Sequence, residues 1–160
     1  MKRNIVRRHF LTVAGAAALG SIMARGAEST TPSNATSKAP GPCCAGAPKL
    51  VLPCSGSSDV GGLADQAGRK MTSDGTGRMY CLAGIGGRIP SFVESTRAAT
   101  KVLVIDGCPE ECARKTLEQA GLKHFVHLKL AEMGFAKGTT RVTPTLIQQV
   151  ADKGAKLLAD

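Results

Sequence analysis

The chain has 160 residues, a formal charge of +9 and a hydrophobic content of 42%, which together predict one compact domain with an additional segment. This hydrophobic content excludes a wholly disordered chain. An aromatic content of 3%, without tryptophan, argues against the nucleic-acid proteins that stack bases on aromatic side chains. No apolar run reaches the roughly 18 residues that a membrane-spanning helix requires, so we expect no stable membrane span.

Residues 1–26 are predicted to be an export signal. A positively charged start is followed by a short, mildly apolar stretch rich in alanine and glycine. The pair Arg7-Arg8, which opens the run Arg7–Leu11, resembles a twin-arginine signal. We therefore expect the twin-arginine export machinery as a partner, cleavage after Gly26 and a periplasmic location. That route carries folded proteins, which favours a cofactor acquired in the cytosol. An ordinary secretory signal and an uncleaved anchor are the alternatives.

The basic character of the chain is concentrated in this signal. Five of its 21 basic residues lie in residues 1–26, which contain no acidic residue. More than half of the excess positive charge is therefore lost with the signal, and the sequence that follows has no dense basic stripe. We expect no nucleic-acid partner.

Residues 27–47 are predicted to form a flexible linker, because their Ser, Thr, Pro and Ala content cannot build a core. Cys43 and Cys44 lie near its end and are interpreted as accessory thiols. They are either ordinary thiols of a flexible segment, a pair that is oxidised after export, or a mobile pair that passes metal to the domain or exchanges disulfides with it. The folded domain then spans residues 48–160.

Strands and helices alternate along this domain. Apolar runs predict strands over residues 49–53, 78–82, 101–105 and 124–130. Helical spacing of apolar residues, together with proline or acidic residues near the starts, predicts helices over residues 59–71, 90–99, 109–121 and 143–158. This alternation implies an α/β fold, namely a small Rossmann-like three-layer sandwich with a mainly parallel sheet of about four strands.

The four cysteines of the domain are placed at the ends of predicted strands. Cys54 follows the first strand, Cys81 lies at the carboxyl end of the second, and Cys108 follows the third. Cys112 comes four residues after Cys108, and this spacing places both on one face of the predicted helix. Ligands of open α/β sheets bind outside the carboxyl ends of the strands. We therefore expect the four sulfur atoms to converge at that edge.

Converged thiolates repel one another unless a cation neutralises them. Four cysteine thiolates are the donor set of a closed, structural zinc site, so we expect zinc as the cofactor. Soft sulfur donors also suit Cu(I) or iron. Two structural disulfides, which an oxidising compartment favours, and thiols buried as small apolar groups are the alternative interpretations.

Several segments of the domain resemble the DGC-domain family, which is named for an Asp-Gly-Cys triplet, here Asp106–Cys108. The resemblance spans about residues 48–140, and the matching segments are Pro53–Gly56, Asp59–Gly61, Met79–Gly87 and Ile105–Ala113. It implies a zinc-binding domain whose ligands, position by position, are Cys54, Cys81, Cys108 and Cys112. The family implies no established reaction, so the resemblance leaves open whether the chain is an enzyme.

An aspartate and two histidines of the domain are further candidates for the site. Asp106 is interpreted either as accepting backbone N–H bonds that orient the Cys108 loop, or as an ordinary turn aspartate. His124 and His127 are three positions apart on a predicted strand, which places them on opposite faces. We therefore do not expect them to act as a pair of metal ligands.

Two classes of function follow from these patterns. The first is an exported periplasmic protein that holds zinc through four thiolates, in a structural, storage or carrier role. The alternative is a thiol-based redox or sulfur-transfer enzyme. In that case Cys108 or Cys54 acts as the nucleophile, with a thiol pKa lowered at a helix start.

Overall fold

The computed structural model describes residues 48–56 and 58–160; the predicted signal, the linker, Cys43 and Cys44 lie outside these described residues. The strands are β1 (Lys49–Pro53), β2 (Arg78–Met79), β3 (Lys101–Asp106) and β4 (Val126–Lys129). The helices are α1 (Asp59–Ser73), α2 (Leu82–Gly86), α3 (Pro90–Arg97), α4 (Cys112–Gln119) and α5 (Pro144–Ala159), and a 3-10 turn at Leu130–Met133 follows β4. Among the described residues, no helix is both long enough and apolar enough to cross a lipid bilayer.

The four strands form one parallel sheet in the order β2-β1-β3-β4. The central strands β1 and β3 pair along their length, from Lys49 opposite Lys101 to Pro53 opposite Ile105. Both are almost continuously apolar, as is typical of parallel strands covered on both faces. The predicted fold class, an α/β sandwich with a parallel sheet of four strands, is confirmed.

Helices cover both faces of this sheet and create two cores. Along β3, Leu103 and Ile105 belong to one core, whereas Val102 and Val104 belong to the other. Helices α1 and α5 pack on the first face through Leu63, Ala64, Ala67, Met71, Val150, Ala151 and Leu158. Helices α2, α3 and α4 pack on the second face through Ile85, Phe92, Val93, Ala113 and Leu117. Full burial of one such large aliphatic side chain contributes about 1.5–3 kcal/mol.

The second predicted strand is shorter than expected, because a helix replaces its end. β2 stops at Met79, and Leu82–Gly86 forms α2, which the sequence analysis did not predict. The sulfur of Cys81 accepts the N–H of Gly84 at 3.3 Å and so caps this helix. Gly84 also lies against the ring of Phe92, where an added Cβ would be 2.7 Å from Cγ. A local capping bond and a close contact with α3 therefore determine this turn of helix.

Helix α4 begins at Cys112, three residues later than predicted. Glu111 has a left-handed backbone with φ of 50°, and its N–H donates to the carbonyl of Cys108 at 3.2 Å in a turn. Cys108 therefore precedes the helix, and the prediction that Cys108 and Cys112 share a helix face is wrong. The chain turns sharply after β3. Residues 109–111, a proline and two glutamates that predicted the first turn of the helix, form this turn instead.

Gly107 allows the end of β3 to approach the start of α1. A Cβ at this position would lie 2.5 Å from the carbonyl oxygen of Val60 and 2.7 Å from the backbone nitrogen of Gly61. Both atoms belong to helical backbone, which cannot turn aside as a side chain does. The glycine of the Asp-Gly-Cys triplet is therefore required for packing between β3 and α1.

Replacing Gly107 should test this close approach. We expect Gly107→Ala to lower the free energy of unfolding by about 1–3 kcal/mol, the usual cost of overpacking a close contact. The measurement is thermal and urea denaturation followed by circular dichroism. Gly62→Ala, in the helix α1 that Gly107 approaches, is the matched control, because its Cβ would lie 3.8 Å from Val142 Cγ2, an ordinary contact. It should be neutral or stabilising by up to about 1 kcal/mol. Equal stability of Gly107→Ala and the unsubstituted protein would contradict the packing argument.

Candidate functional site at the carboxyl edge of the sheet

Three of the four described cysteines follow the carboxyl ends of strands, the fourth, Cys112, begins α4, and all four are free thiols. Cys54 directly follows β1 and is only 6% exposed. Cys108 follows β3 and is half-buried, whereas Cys81 and Cys112 are exposed at the starts of α2 and α4. The edge thus offers one buried sulfur and three sulfurs that solvent can reach.

Backbone contacts hold Cys54 in place. Its N–H donates to the carbonyl of Ile105 at 2.8 Å, which continues the pairing of β1 with β3. The loop after it packs on α1, since an added Cβ at Gly61 would lie 2.8 Å from the carbonyl oxygen of Gly56. The position of the Cys54 sulfur is therefore determined by the sheet on one side and by α1 on the other.

Burial raises the pKa of the Cys54 thiol above its ordinary value. A hydrogen bond from the backbone of Gly56 acts in the opposite direction, and the negative charges of Asp106, Cys112 and Cys108 raise the pKa further. Without a cation, Cys54 is therefore protonated at neutral pH. Cys54 follows β1 and Cys108 follows β3, and these two strands are paired, so the two residues follow neighbouring strand ends.

A cavity of about 540 Å³ brings Cys54, Cys81 and Cys112 together, whereas Cys108 is not part of its lining. Among residues 48–56 and 58–160, no three His, Cys, Asp or Glu side chains form a group arranged to hold a metal ion. The sulfurs thus gather at one edge, and holding a common ion would require side chains to turn toward it. The four-cysteine zinc site stays a prediction.

Polar side chains of α1 border the same cavity. Asp65 accepts hydrogen bonds from Ser55 Oγ at 3.1 Å and from Arg69 Nε at 2.7 Å. Asp65 is thus engaged by a neighbouring hydroxyl group and a guanidinium group. This network connects the loop that follows Cys54 to the solvent-facing side of α1.

Asp106 at the end of β3 is almost completely buried, with 1% of its surface exposed. Its two carboxylate oxygens accept the N–H groups of Ala113 at 2.8 Å and of Arg114 at 3.0 Å. These donors belong to the first turn of α4, whose N–H groups have no partner within the helix and whose dipole favours a negative charge. Asp106 therefore positions the start of α4, and with it Cys112, rather than the residues around Cys108.

His127 completes the surroundings of this carboxylate, which the sequence analysis did not foresee. It lies on β4, and its Nε2 is 2.9 Å from Asp106 Oδ2. His124 lies instead at the opposite end of the sheet, among the residues around another cavity. The two histidines are thus far from forming a ligand pair. The polar residue His127 within an apolar strand was a signal in the sequence that it has a partner. That the partner is Asp106 could not be seen, because it depends on β4 lying next to β3.

Ion pairs surround the left-handed residue before α4. Glu111 Oε2 accepts from Arg114 Nε at 2.5 Å, and this hydrogen bond holds the pKa of Glu111 below its usual range. Arg114 also contacts Glu118 at 2.6 Å. A non-glycine residue with positive φ carries backbone strain, so these contacts help to hold the turn that precedes Cys112.

The start of α1 is tied to a distant loop by Asp59. Its carboxylate accepts the N–H groups of Gly138 at 3.0 Å and of Thr140 at 2.8 Å. These bonds, first that from Gly138 and then that from Thr140, hold the pKa of Asp59 below its usual value. They secure the loop after the 3-10 turn against the helix that supports the Cys54 loop.

The DGC domain family matches residues 50–153, a range that includes all four cysteines and Asp106. The chain is also similar to a Pseudomonas aeruginosa protein described as anaerobic and virulence modulator AnvM. The two are 35% identical over 88 residues, which cover 55% of this chain and 67% of that protein. No solved structure shows significant similarity to the chain.

The burial of Cys54 predicts a clear order of thiol reactivity. In reduced, metal-free protein at pH 7.5, iodoacetamide should label Cys81 and Cys112 at least about tenfold faster than Cys54, because only the thiolate reacts and because Cys54 is shielded. Mass spectrometry of timed digests measures each rate. In guanidinium chloride the rates should become similar, which is the control for local sequence effects. Labelling of Cys54 first in the folded protein would contradict the raised pKa.

Proposed function

Because the chain belongs to the DGC domain family, we propose that it binds metal and that its cofactor is one zinc ion held by Cys54, Cys81, Cys108 and Cys112. The role we propose for this metal binding is structural, storage or carrier. The similar AnvM protein is described as an anaerobic and virulence modulator.

The observation that carries the proposal is the gathering of thiols at one edge of the sheet. Cys54, Cys81 and Cys112 line a single cavity, and Cys108 follows β3, which pairs with the strand that precedes Cys54. Thiolates are the donors that zinc prefers in closed sites, so the chemistry of the donor set fits the proposed ion. The two exposed cysteines, Cys81 and Cys112, lie at the starts of α2 and α4.

The residues around the thiols support binding of a cation. The backbone N–H of Gly56 donates to the sulfur of Cys54, and that of Gly84 donates to the sulfur of Cys81. Such bonds stabilise and orient thiolate ligands. A bound zinc ion would supply the positive charge that lets neighbouring thiolates coexist. Asp106 then serves as a positioning residue, since it fixes the start of the helix that carries Cys112.

The alternative, a thiol-based redox or sulfur-transfer enzyme, needs an accessible thiolate. Burial and a raised pKa make Cys54 a poor nucleophile. Cys108, which is half-buried in the turn after β3, is then the nucleophile that this alternative requires. The two functions differ in metal content and in the reactivity of this one thiol.

Metal content tests the zinc proposal. The full chain, purified without added metal, should contain about one zinc per molecule by elemental analysis. Each of the single variants Cys54→Ser, Cys81→Ser, Cys108→Ser and Cys112→Ser should lose most of it, and acidification should release the metal as the thiolates become protonated. The double variant Cys43→Ser/Cys44→Ser is the matched control and should keep its zinc.

Two outcomes would contradict this proposal. Retention of zinc in two or more of the four single variants would mean that other residues hold it. Metal-free protein in which Cys108 is labelled fastest at neutral pH would favour the thiol enzyme. Circular dichroism of each variant separates loss of metal from loss of fold.

We also propose that residues 1–26 direct the protein to the periplasm through the twin-arginine machinery. Replacement of both arginines, Arg7→Lys/Arg8→Lys, should keep the full-length protein in the cytoplasm, because that route reads the arginine pair itself. Cell fractionation and immunoblotting measure the distribution and the mass of the product. The conservative exchange Lys2→Arg/Arg3→Lys, outside the pair, should be exported normally and cleaved after Gly26. Normal export of the first variant would contradict the proposal and favour an ordinary secretory signal.

A further inference from the structure

A second cavity lies at the opposite edge of the sheet, where the strands begin. It has a volume of about 560 Å³. The ends of α3 and α4 and the starts of β3 and β4 form its walls, within residues 96–102 and 117–126. None of the four cysteines lines it, so it is separate from the proposed metal site.

The inner wall of this cavity is apolar. It includes Val102, Leu117 and Leu122, which are all buried, together with the half-buried Phe125 and Val126. Small-molecule pockets of about 300–1,000 Å³ commonly combine such an apolar wall with a few polar groups that fix the orientation of the ligand. The size and the wall therefore suit an aromatic or short acyl body.

The polar groups around this wall are mostly basic. Arg97, Lys101 and Lys123 line the cavity together with His124, and no aspartate or glutamate is among its described lining residues. A nearby acid, Glu94, pairs with Arg97 at 2.6 Å and offsets one of these charges. The cavity thus has an excess of positive charge at its mouth.

The partial negative charges at the helix ends of this edge weaken the binding of an anion. α3 and α4 both end here, and each helix C-terminus carries roughly half a negative charge. Two such partial charges and Glu94 do not cancel three full positive charges. The electrostatic balance of the cavity mouth stays positive.

We propose that this cavity binds a small amphipathic anion, in which a carboxylate or sulfonate group is attached to an aromatic or acyl body. The apolar body packs on Leu117, Leu122 and Phe125, and the anionic group contacts Lys101 and Lys123. Binding at this edge is independent of the thiols at the other edge, and it requires no metal.

A pair of dyes that differ in one charged group tests the proposal on the full-length protein. The probes are 8-anilinonaphthalene-1-sulfonate and its uncharged counterpart N-phenyl-1-naphthylamine, followed by fluorescence titration. We expect saturable binding of both dyes. The variant Lys101→Gln/Lys123→Gln should weaken binding of the sulfonate about tenfold and leave the neutral dye within about twofold. Lys115→Gln/Lys153→Gln, on exposed helix positions outside the cavity, is the charge-matched control and should change neither.

A second variant tests whether the apolar part of each dye lies inside the cavity. Ala99 lines the cavity and is half-buried, so Ala99→Leu should reduce binding of both dyes by filling space, with the circular dichroism spectrum unchanged. Absence of saturable sulfonate binding would overturn the proposal. It would also be overturned if the double lysine variant weakened both dyes equally, or if Ala99→Leu weakened neither.

Discussion

The buried carboxylate of Asp106 joins the central strand of the sheet to the helix that carries Cys112. A buried charge needs partners, because an unsatisfied one costs several times more than a neutral hydrogen bond contributes. Here the partners are two N–H groups of α4 and the ring of His127 on β4. One side chain thereby fixes β3, α4 and β4 relative to one another at the edge where the thiols lie. The triplet Asp106-Gly107-Cys108 thus combines a helix cap, a close backbone approach and a thiol in three consecutive residues.

The thiols at this edge differ in their access to solvent, and this difference shapes their chemistry. Cys54 is buried and held by the backbone, and its environment favours the protonated form. Cys81 and Cys112 are exposed, and each begins a helix. A cation at this edge would change the balance, since it would favour ionisation of the buried thiol and would neutralise the exposed ones. The edge therefore combines one sulfur held in a buried position, that of Cys54, with two exposed sulfurs, those of Cys81 and Cys112.

Much of the fold could be predicted from the sequence, because the central strands are continuous apolar runs and helices α1 and α5 have clear apolar stripes. β1 was predicted with its observed bounds, and the order of the four strands and the four longer helices along the chain was predicted from their alternation. What failed depended on contacts between distant residues. The Gly84–Phe92 contact and the left-handed Glu111 determine where α2 and α4 begin. The partnership of Asp106 with His127 requires that β4 lie next to β3, and local periodicity carries no information on strand order.

In the candidate site, too, local sequence patterns predicted some features, whereas others depend on contacts between distant residues. That the cysteines share one edge could be predicted, because every strand of a parallel sheet ends on the same side. Their relative depth could not be predicted, and neither could the cavity at the other edge, whose walls come from four separate elements.

The outer strands of the sheet also limit how copies of this chain can associate. β2 pairs through only two residues, and β4 is four residues long. A strand from a neighbouring molecule pairs with a long row of free N–H and C=O groups. Outer strands as short as β2 and β4 present few such groups. Edge-to-edge addition of a strand from another copy is therefore disfavoured at these two edges of the sheet.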